Sequence, residues 1–243
     1  MGWMVTNSHT GRAHSRTPRR AIHLAKAALA LLTVASLPAT GQAKPATVVW
    51  RFDNLRHIGG MTPRIVGAPA IVKTPIGKAM AFDGVDDAVY LDRHPLAGAA
   101  HFTAEAVFRP DGGAFAQRWM HLASDDPGGQ TRMLFEIRVL GNFWYLDTFV
   151  KGPGYAQALI DPAKLHPIGR WYHVAQTYDG TTYRSYVDGV LEGEAKVAFT
   201  PQGSGKTSVG VRYTGVDFFH GAVRMARFAA EALPPSQFRT LRK

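Results

Sequence analysis

Apolar and polar positions alternate along this chain in short runs, each broken by glycine, proline or an Asp-Gly pair. The clearest case is Arg170–Glu194, RWYHVAQTYDGTTYRSYVDGVLEGE. Its runs of Trp, Tyr, Val and Thr suit a pleated, half-buried surface. The pairs Asp179-Gly180 and Asp188-Gly189 predict tight type I′ turns, which need φ > 0 at both central positions. The stretch therefore reads as a three-strand meander from Trp171 to Val197.

The same pattern extends in both directions. Upstream, strands are predicted at Val48–Phe52, Lys78–Phe82, Ala88–Leu91, Phe102–Arg109 and Trp119–Ser124. The Gly- and Pro-rich residues 55–79 read as mostly loop, with a short strand at Ala70–Lys73. Met133–Leu140 and Asn142–Val150 form a predicted hairpin around Gly141-Asn142, and Ala156–Ile160 is a short strand. Alternation puts Leu134, Glu136 and Arg138 on one face and Met133, Phe135, Ile137 and Val139 on the other. Downstream come Thr207–Arg212 and Gly221–Phe228, then a short terminal helix over Glu231–Leu241 with Pro234 and Pro235 near its start. About a dozen short strands with almost no helix predict an all-β fold, an antiparallel sandwich of the jelly-roll kind.

The first 43 residues depart from this pattern. They hold no Asp or Glu, a set of cations (Arg12, Arg16, Arg19, Arg20 and Lys26), the apolar run Ala27–Leu37 and then small residues through Ala43. That is the layout of a secretory signal peptide, with an apolar run too short to span a bilayer unaided. The expected organisation is a leader over 1–43 and one domain over 44–243, exported to the periplasm or the medium, with no transmembrane segment in the mature chain. Arg19-Arg20 leaves twin-arginine export open beside the general route.

Removing the leader also changes the charge. With those five cations gone, Lys+Arg drops to 23 against 18 Asp+Glu, and the net charge from +10 to +5. The remainder is mildly basic, and no nucleic-acid partner is assigned. There is no cysteine, so the exported domain relies on its core rather than on disulfides.

Four ordered stretches resemble bacterial laminin-G-like domains of the concanavalin A-like lectin/glucanase superfamily. They are Gly67-Ala68-Pro69 with Gly77–Asp87; Phe102–Val107; Trp171–Ala175 through Tyr186-Val187-Asp188-Gly189; and Val209-Gly210 with Phe219–Val223. The resemblance spans roughly residues 48–238 and implies the jelly-roll fold. It also implies a calcium site, but the terminal strand reads Gly221-Ala222-Val223-Arg224-Met225 where the family has Gly-x-Ile-Asp-Glu. A cation thus stands at the acidic position, and calcium wants six to eight oxygens. Asp53 is the carboxylate left at that site, with a backbone carbonyl from the Gly84 region, and the acidic turn of Asp83, Asp86 and Asp87 is a second candidate metal site.

The fold hosts lectins, protein-binding modules, hydrolases and lyases, so function must come from the site. Glu192 and Glu194 are the one carboxylate pair two apart in a strand-like run; they follow the Asp188-Gly189 turn and are expected to be exposed, which argues against a retaining glycosidase with both carboxylates on one strand. Carboxylates from different strands can still meet. A lyase would draw on His121, Arg138, His173, Tyr155 or Tyr186. Glycan binding needs aromatic faces and a few orienting polar groups. Trp119, Trp144, Tyr145 and Tyr155, near predicted strand ends, are the candidate platform, with His121 and Arg138 as polar partners. Trp144 and Tyr145 are adjacent on a strand, so one faces in and the other out. Trp171 and Phe82 are assigned to the core. Arg51, Arg132, Arg138 and Arg212 read as scattered charge; clustered, they would favour an acidic sugar. The reading favours binding of a polysaccharide or glycoconjugate without chemistry, against a polysaccharide lyase or glycoside hydrolase and against a protein-binding or envelope-structural module.

Overall fold

The computed structural model describes residues 47–127, 130–239 and 241; the expected leader lies outside them. Sixteen strands follow one another. They are β1 (Thr47–Arg51), β2 (Arg64–Val66), β3 (Ala70–Thr74), β4 (Gly77–Asp83), β5 (Ala88–Leu91), β6 (Phe102–Pro110), β7 (Ala116–Ser124) and β8 (Arg132–Leu140). Then come β9 (Phe143–Gly152), β10 (Tyr155–Ile160), β11 (His166–Pro167), β12 (Tyr172–Tyr178), β13 (Thr182–Val187), β14 (Val190–Lys196), β15 (Gly205–Val209) and β16 (His220–Ala229).

They form two antiparallel sheets. The first runs β14-β13-β12-β6-β16-β4-β3, with β1 on β16. The second runs β10-β9-β8-β7-β15-β5-β2, with β11 on β9. In the first sheet β16 is central. One edge pairs β6, while the other pairs β4 along His220–Val223 and then β1 along Met225–Ala229. Arg224 falls at the change-over, where the β16–β6 register shifts. Between the sheets lies one apolar core. Phe108 stacks on Trp119 at 5.3 Å and meets Trp144 edge-on at 5.2 Å, while Trp50 meets Phe228 at 4.9 Å. Side chains of this size bury about 150–250 Å² each and dominate the energy of such an interior.

The predicted meander is present, and its second turn has positive φ at both Asp188 (50°) and Gly189 (83°). The first turn differs. Of Asp179 and Gly180 only Gly180 has positive φ (98°), and Asp179 Oδ1 instead accepts from the Thr181 and Thr182 amides at 3.0 and 2.8 Å. The tip moves one residue along, to Gly180-Thr181, with glycine at the first central position.

Other differences have clear causes. Strand β2, three residues long, falls in the stretch expected to be loop, and β11, two residues long, has no counterpart among the expected strands. Strand β15 stops at Val209, because Gly210 turns the chain at φ 83°. The terminal helix is replaced by one 3₁₀ turn, Pro235–Gln237. Pro234 and Pro235 lack the amides a longer helix needs, and the segment instead buries Phe238 against Ala175 and Tyr186 on the first sheet. Trp171 is half-buried beside Arg109 rather than in the core, whereas Phe82 is buried.

Candidate functional site

The face of the second sheet turned away from the core carries the densest chemistry. Strand pleating puts alternate residues of β8 there: Arg132, Leu134, Glu136 and Arg138, with Met133, Phe135, Ile137 and Val139 in the core. Strand β9 adds Tyr145, Asp147 and Phe149, which register opposite Arg138, Glu136 and Leu134. Strand β10 adds Ala158, opposite Phe149. Strand β7 adds Arg118, with His121 buried in register opposite Leu134, and Arg212 enters from the turn after β15. Arg118, Arg132, Leu134, Glu136, Arg138, Asp147, Phe149, Ala158 and Arg212 line a pocket of about 260 Å³.

Its electrostatics divide it. At one end Glu136 is held between two guanidiniums, Arg118 Nε at 2.8 Å and Arg138 at 3.1 Å. Arg118 also reaches Asp217 at 2.7 Å, and Arg138 reaches Asp147 at 2.6 Å. Burial, and then the facing Glu136 charge, push the Asp147 carboxyl up to about 6. At the other end stand Arg132 and Arg212. Neither makes an ion pair among the described residues, and the Nε of each is buried without a hydrogen-bond partner. Burial, and then the proximity of Arg212, lower the Arg132 pKa. His121 is buried beside them. Its Nδ1 accepts the Tyr213 amide at 3.0 Å, and its Nε2 has no partner. Burial first, then Arg212, Arg132 and Arg118, push its pKa down to about 3, so the ring stays neutral.

The predicted residues therefore separate. His121, Arg138 and Tyr145 share this open face, although Tyr145 is itself buried (6% exposed). Trp119 (1%), Trp144 (0%) and Tyr155 (9%) are core residues and give no surface platform. A register shift between Arg118 and Met120 turns both Trp119 and Met120 inward. The aromatic that does border the groove is Phe149, which sequence reasoning passed over with Arg118, Glu136 and Asp147. Of the four arginines read as scattered, Arg132, Arg138 and Arg212 cluster. Arg51 lies elsewhere, in a depression of about 500 Å³ with Asp53, His57 and Arg239, where both arginines are exposed.

The lyase candidates do not converge either. His173 and Tyr186 sit under Phe238 on the first sheet, and a His121 ring with a pKa near 3 is a weak base.

The metal candidates also divide. Asp83, Asp86 and Asp87 bring one carboxylate oxygen each within 4.8 Å of one another, and Asp53 is not among them. Asp83 Oδ1 accepts the Val85, Asp86 and Asp87 amides, at 2.8 Å for the first. The Asp87 oxygens accept the amides of Ala68 (2.6 Å) and Asp83 (3.0 Å). Two of the three carboxylates thus hold the turn together, while at the Asp53 site Arg224, whose carbonyl accepts the Phe52 amide at 3.0 Å, occupies the expected acidic position. These residues fit a hydrogen-bonded turn and not the six to eight oxygens of a calcium cage.

Among the solved structures that share the architecture are the following three. Domain 4 of AbnA, a GH43 extracellular arabinanase from Geobacillus stearothermophilus, in complex with arabinotriose, matches with TM-score 0.54 at 18% identity, over 80% of this chain and 97% of that one. The Ruminococcus gnavus IT-sialidase CBM40 bound to alpha2,3 sialyllactose matches with TM-score 0.51 at 14% identity, over 71% and 95%. NanB, the sialidase from Streptococcus pneumoniae, with Optactamide, gives TM-score 0.55 at 18% identity over 68% of this chain and only 27% of its own length. At these identities the likeness is one of fold. No curated protein matches the chain. The family model Laminin_G_3 covers residues 83–238, so the chain belongs to this family of the concanavalin A-like lectin/glucanases superfamily.

Proposed function

We propose that this is an exported, non-catalytic carbohydrate-binding module whose ligand lies on the open face of the second sheet. The observation that carries the reading is the groove itself. It combines an apolar floor of Leu134, Phe149 and Ala158 with a rim of planar guanidiniums, the mixture by which a sugar's C–H face and hydroxyls are held. Two of the neighbours are a carbohydrate-binding module and an arabinanase domain with oligosaccharides bound, which supports the same assignment. The test is a glycan array with the full chain, with calcium and again with chelator. A defined set of bound glycans, unchanged by chelator, is expected. No binding in either condition sinks the reading.

A hydrolase is the second reading, favoured by one observation. Glu136 and Asp147 face each other across β8 and β9, and Asp147 is pushed up to about 6, into the range of a general acid. Against it, both Glu136 oxygens and one Asp147 oxygen are engaged by arginine. New reducing ends after incubation with any bound glycan, lost in Glu136→Gln, would replace the binding reading with this one.

A further inference from the structure

We propose that Arg132 and Arg212, with the neutral His121 ring buried beside them, form an oxyanion site for the carboxylate of an acidic sugar, a uronic or sialic acid residue of a glycan. The proposal rests on the glycan-binding reading and names the class of glycan.

The argument starts from which donors are filled. Arg118 and Arg138, in the same groove, meet three carboxylates between them. Arg132 and Arg212 meet none. Buried polar groups nearly always have partners, and each exception asks for a cause. Here three exceptions adjoin. Arg132 Nε, Arg212 Nε and His121 Nε2 are all buried and unfilled. Arg132 registers against Ala123, two residues along β7 from His121, and the Tyr213 amide next to Arg212 is bonded to the His121 ring. That bond fixes the tautomer. With Nδ1 accepting, the neutral ring carries its hydrogen on Nε2. The site therefore offers two cations beside a buried ring that adds no third charge.

Two guanidiniums brought together without an acid repel each other, and an anion between them removes the repulsion. The fork of an arginine matches a planar carboxylate in bidentate fashion. The floor decides what carries that carboxylate. Leu134, Phe149 and Ala158 are apolar and border the same pocket; they suit a ring with a C–H face and give nothing to a free inorganic anion. The volume, about 260 Å³, falls below the roughly 300–1,000 Å³ of pockets for drug-sized ligands. It takes one acidic residue of a chain, with the remainder running out over the sheet.

The experiment is calorimetric titration of the full chain with matched ligands. Trigalacturonate is compared with its methyl ester, alpha2,3 sialyllactose with lactose, and sodium phosphate and a sulfated neutral trisaccharide are run alone. At least one acid is expected to bind about tenfold or more tightly than its uncharged counterpart. In Arg212→Gln that ratio is expected to fall toward one. Arg212→Lys keeps the charge but loses the Nε donor, and is expected to lose most of the ratio too. Arg51→Gln, the same charge change in the other depression, is expected to leave the ratio unaltered. Thermal unfolding of each variant reports its folding, and if Arg212→Gln does not fold, the acid-to-ester ratio and Arg212→Lys still decide. Equal binding of acid and ester, an undiminished ratio in Arg212→Lys, or tighter binding of phosphate or the sulfated sugar overturns the proposal. Neutral glycans bound without preference for acids overturn it and leave the glycan-binding reading standing. No glycan bound at all overturns both.

Discussion

Each sheet of this sandwich carries buried charge on the face turned away from the core, and the two clusters are finished differently. On the first sheet Glu105 is central. Arg227 takes one oxygen, His173 Nε2 takes the other at 2.8 Å, and the Arg239 amide approaches at 3.2 Å. The C-terminal segment closes over them. Phe238 lies against His173 and Tyr186, and Thr103 pins the chain through Glu231 O (2.7 Å) and the Leu233 amide (2.8 Å). On the second sheet the ingredients are the same, arginine and carboxylate, but the Arg132–Arg212 end has donors in excess of acceptors. The two clusters differ here in whether each arginine meets a carboxylate: Arg227 pairs with Glu105, whereas Arg132 and Arg212 pair with none among the described residues. The closed cluster is paired within the chain, and the open one is the site proposed above for a ligand.

The largest expected effect breaks the closed cluster. Glu105→Ala strands Arg227 and removes the acceptor under the C-terminal segment, and loss of one partner of a buried pair costs about 3–5 kcal/mol. Chemical denaturation is expected to show that loss with glycan binding intact. A loss below about 1 kcal/mol would mean that the first cluster is no more structural than the second.

The comparison also shows what the sequence could express. The faces of β8 were legible because its alternation runs unbroken from Met133 to Val139, and a period of two leaves one assignment. The opposition of Trp144 and Tyr145 followed from the same rule. Trp119 was misassigned because the irregularity between Arg118 and Met120 breaks the period, and nothing local marks it. Phe238 was read as part of a helix, yet its segment lies mostly extended to cover charge that comes from β6, β12 and β16. The acceptor-poor end of the groove was the least legible part. Arg132 and Arg212 are eighty positions apart, and whether they are scattered or paired depends on the order β8-β7-β15. The resemblance to laminin-G-like domains supplied the fold and said nothing of this pair, since a family pattern fixes framework positions better than the residues set upon them.

A smaller effect, of opposite sign, sharpens the contrast. Arg212→Gln removes one of two facing cations that lack an acid. Denaturation is expected to show stability unchanged or raised by up to about 1 kcal/mol, because relief of repulsion offsets the packing lost with the arginine stem. A destabilisation of about 3 kcal/mol would place Arg212 in the closed class, beside Glu105.

The smallest effect comes from Asp147, where the two behaviours meet in one side chain. It faces Glu136 across the strand pair, with Arg138 bonded to it and Arg118 beyond. Burial and Glu136 raise its pKa from 3.8 to about 6 against the pull of the two arginines. The sign follows from proton counting. Between about pH 4 and pH 6 the native state holds a proton that the unfolded chain has released. The stability from this group is fully present below about pH 4 and is lost as the pH rises through about 6. Asp147→Asn, neutral throughout, is therefore expected to gain on the native chain across that window. Binding follows the same proton. Lowering the pH from 7.5 to 5.5 removes negative charge beside the groove, while a sugar carboxylate, with a pKa of about 3.5, stays ionised. His121, with its pKa near 3, contributes nothing over that range. Affinity for an acidic glycan is expected to rise about threefold, and the rise is expected to vanish in Asp147→Asn. A flat profile in the native chain would mean that the Asp147 charge is not felt at Arg132 and Arg212 and that the two ends of the groove are not coupled.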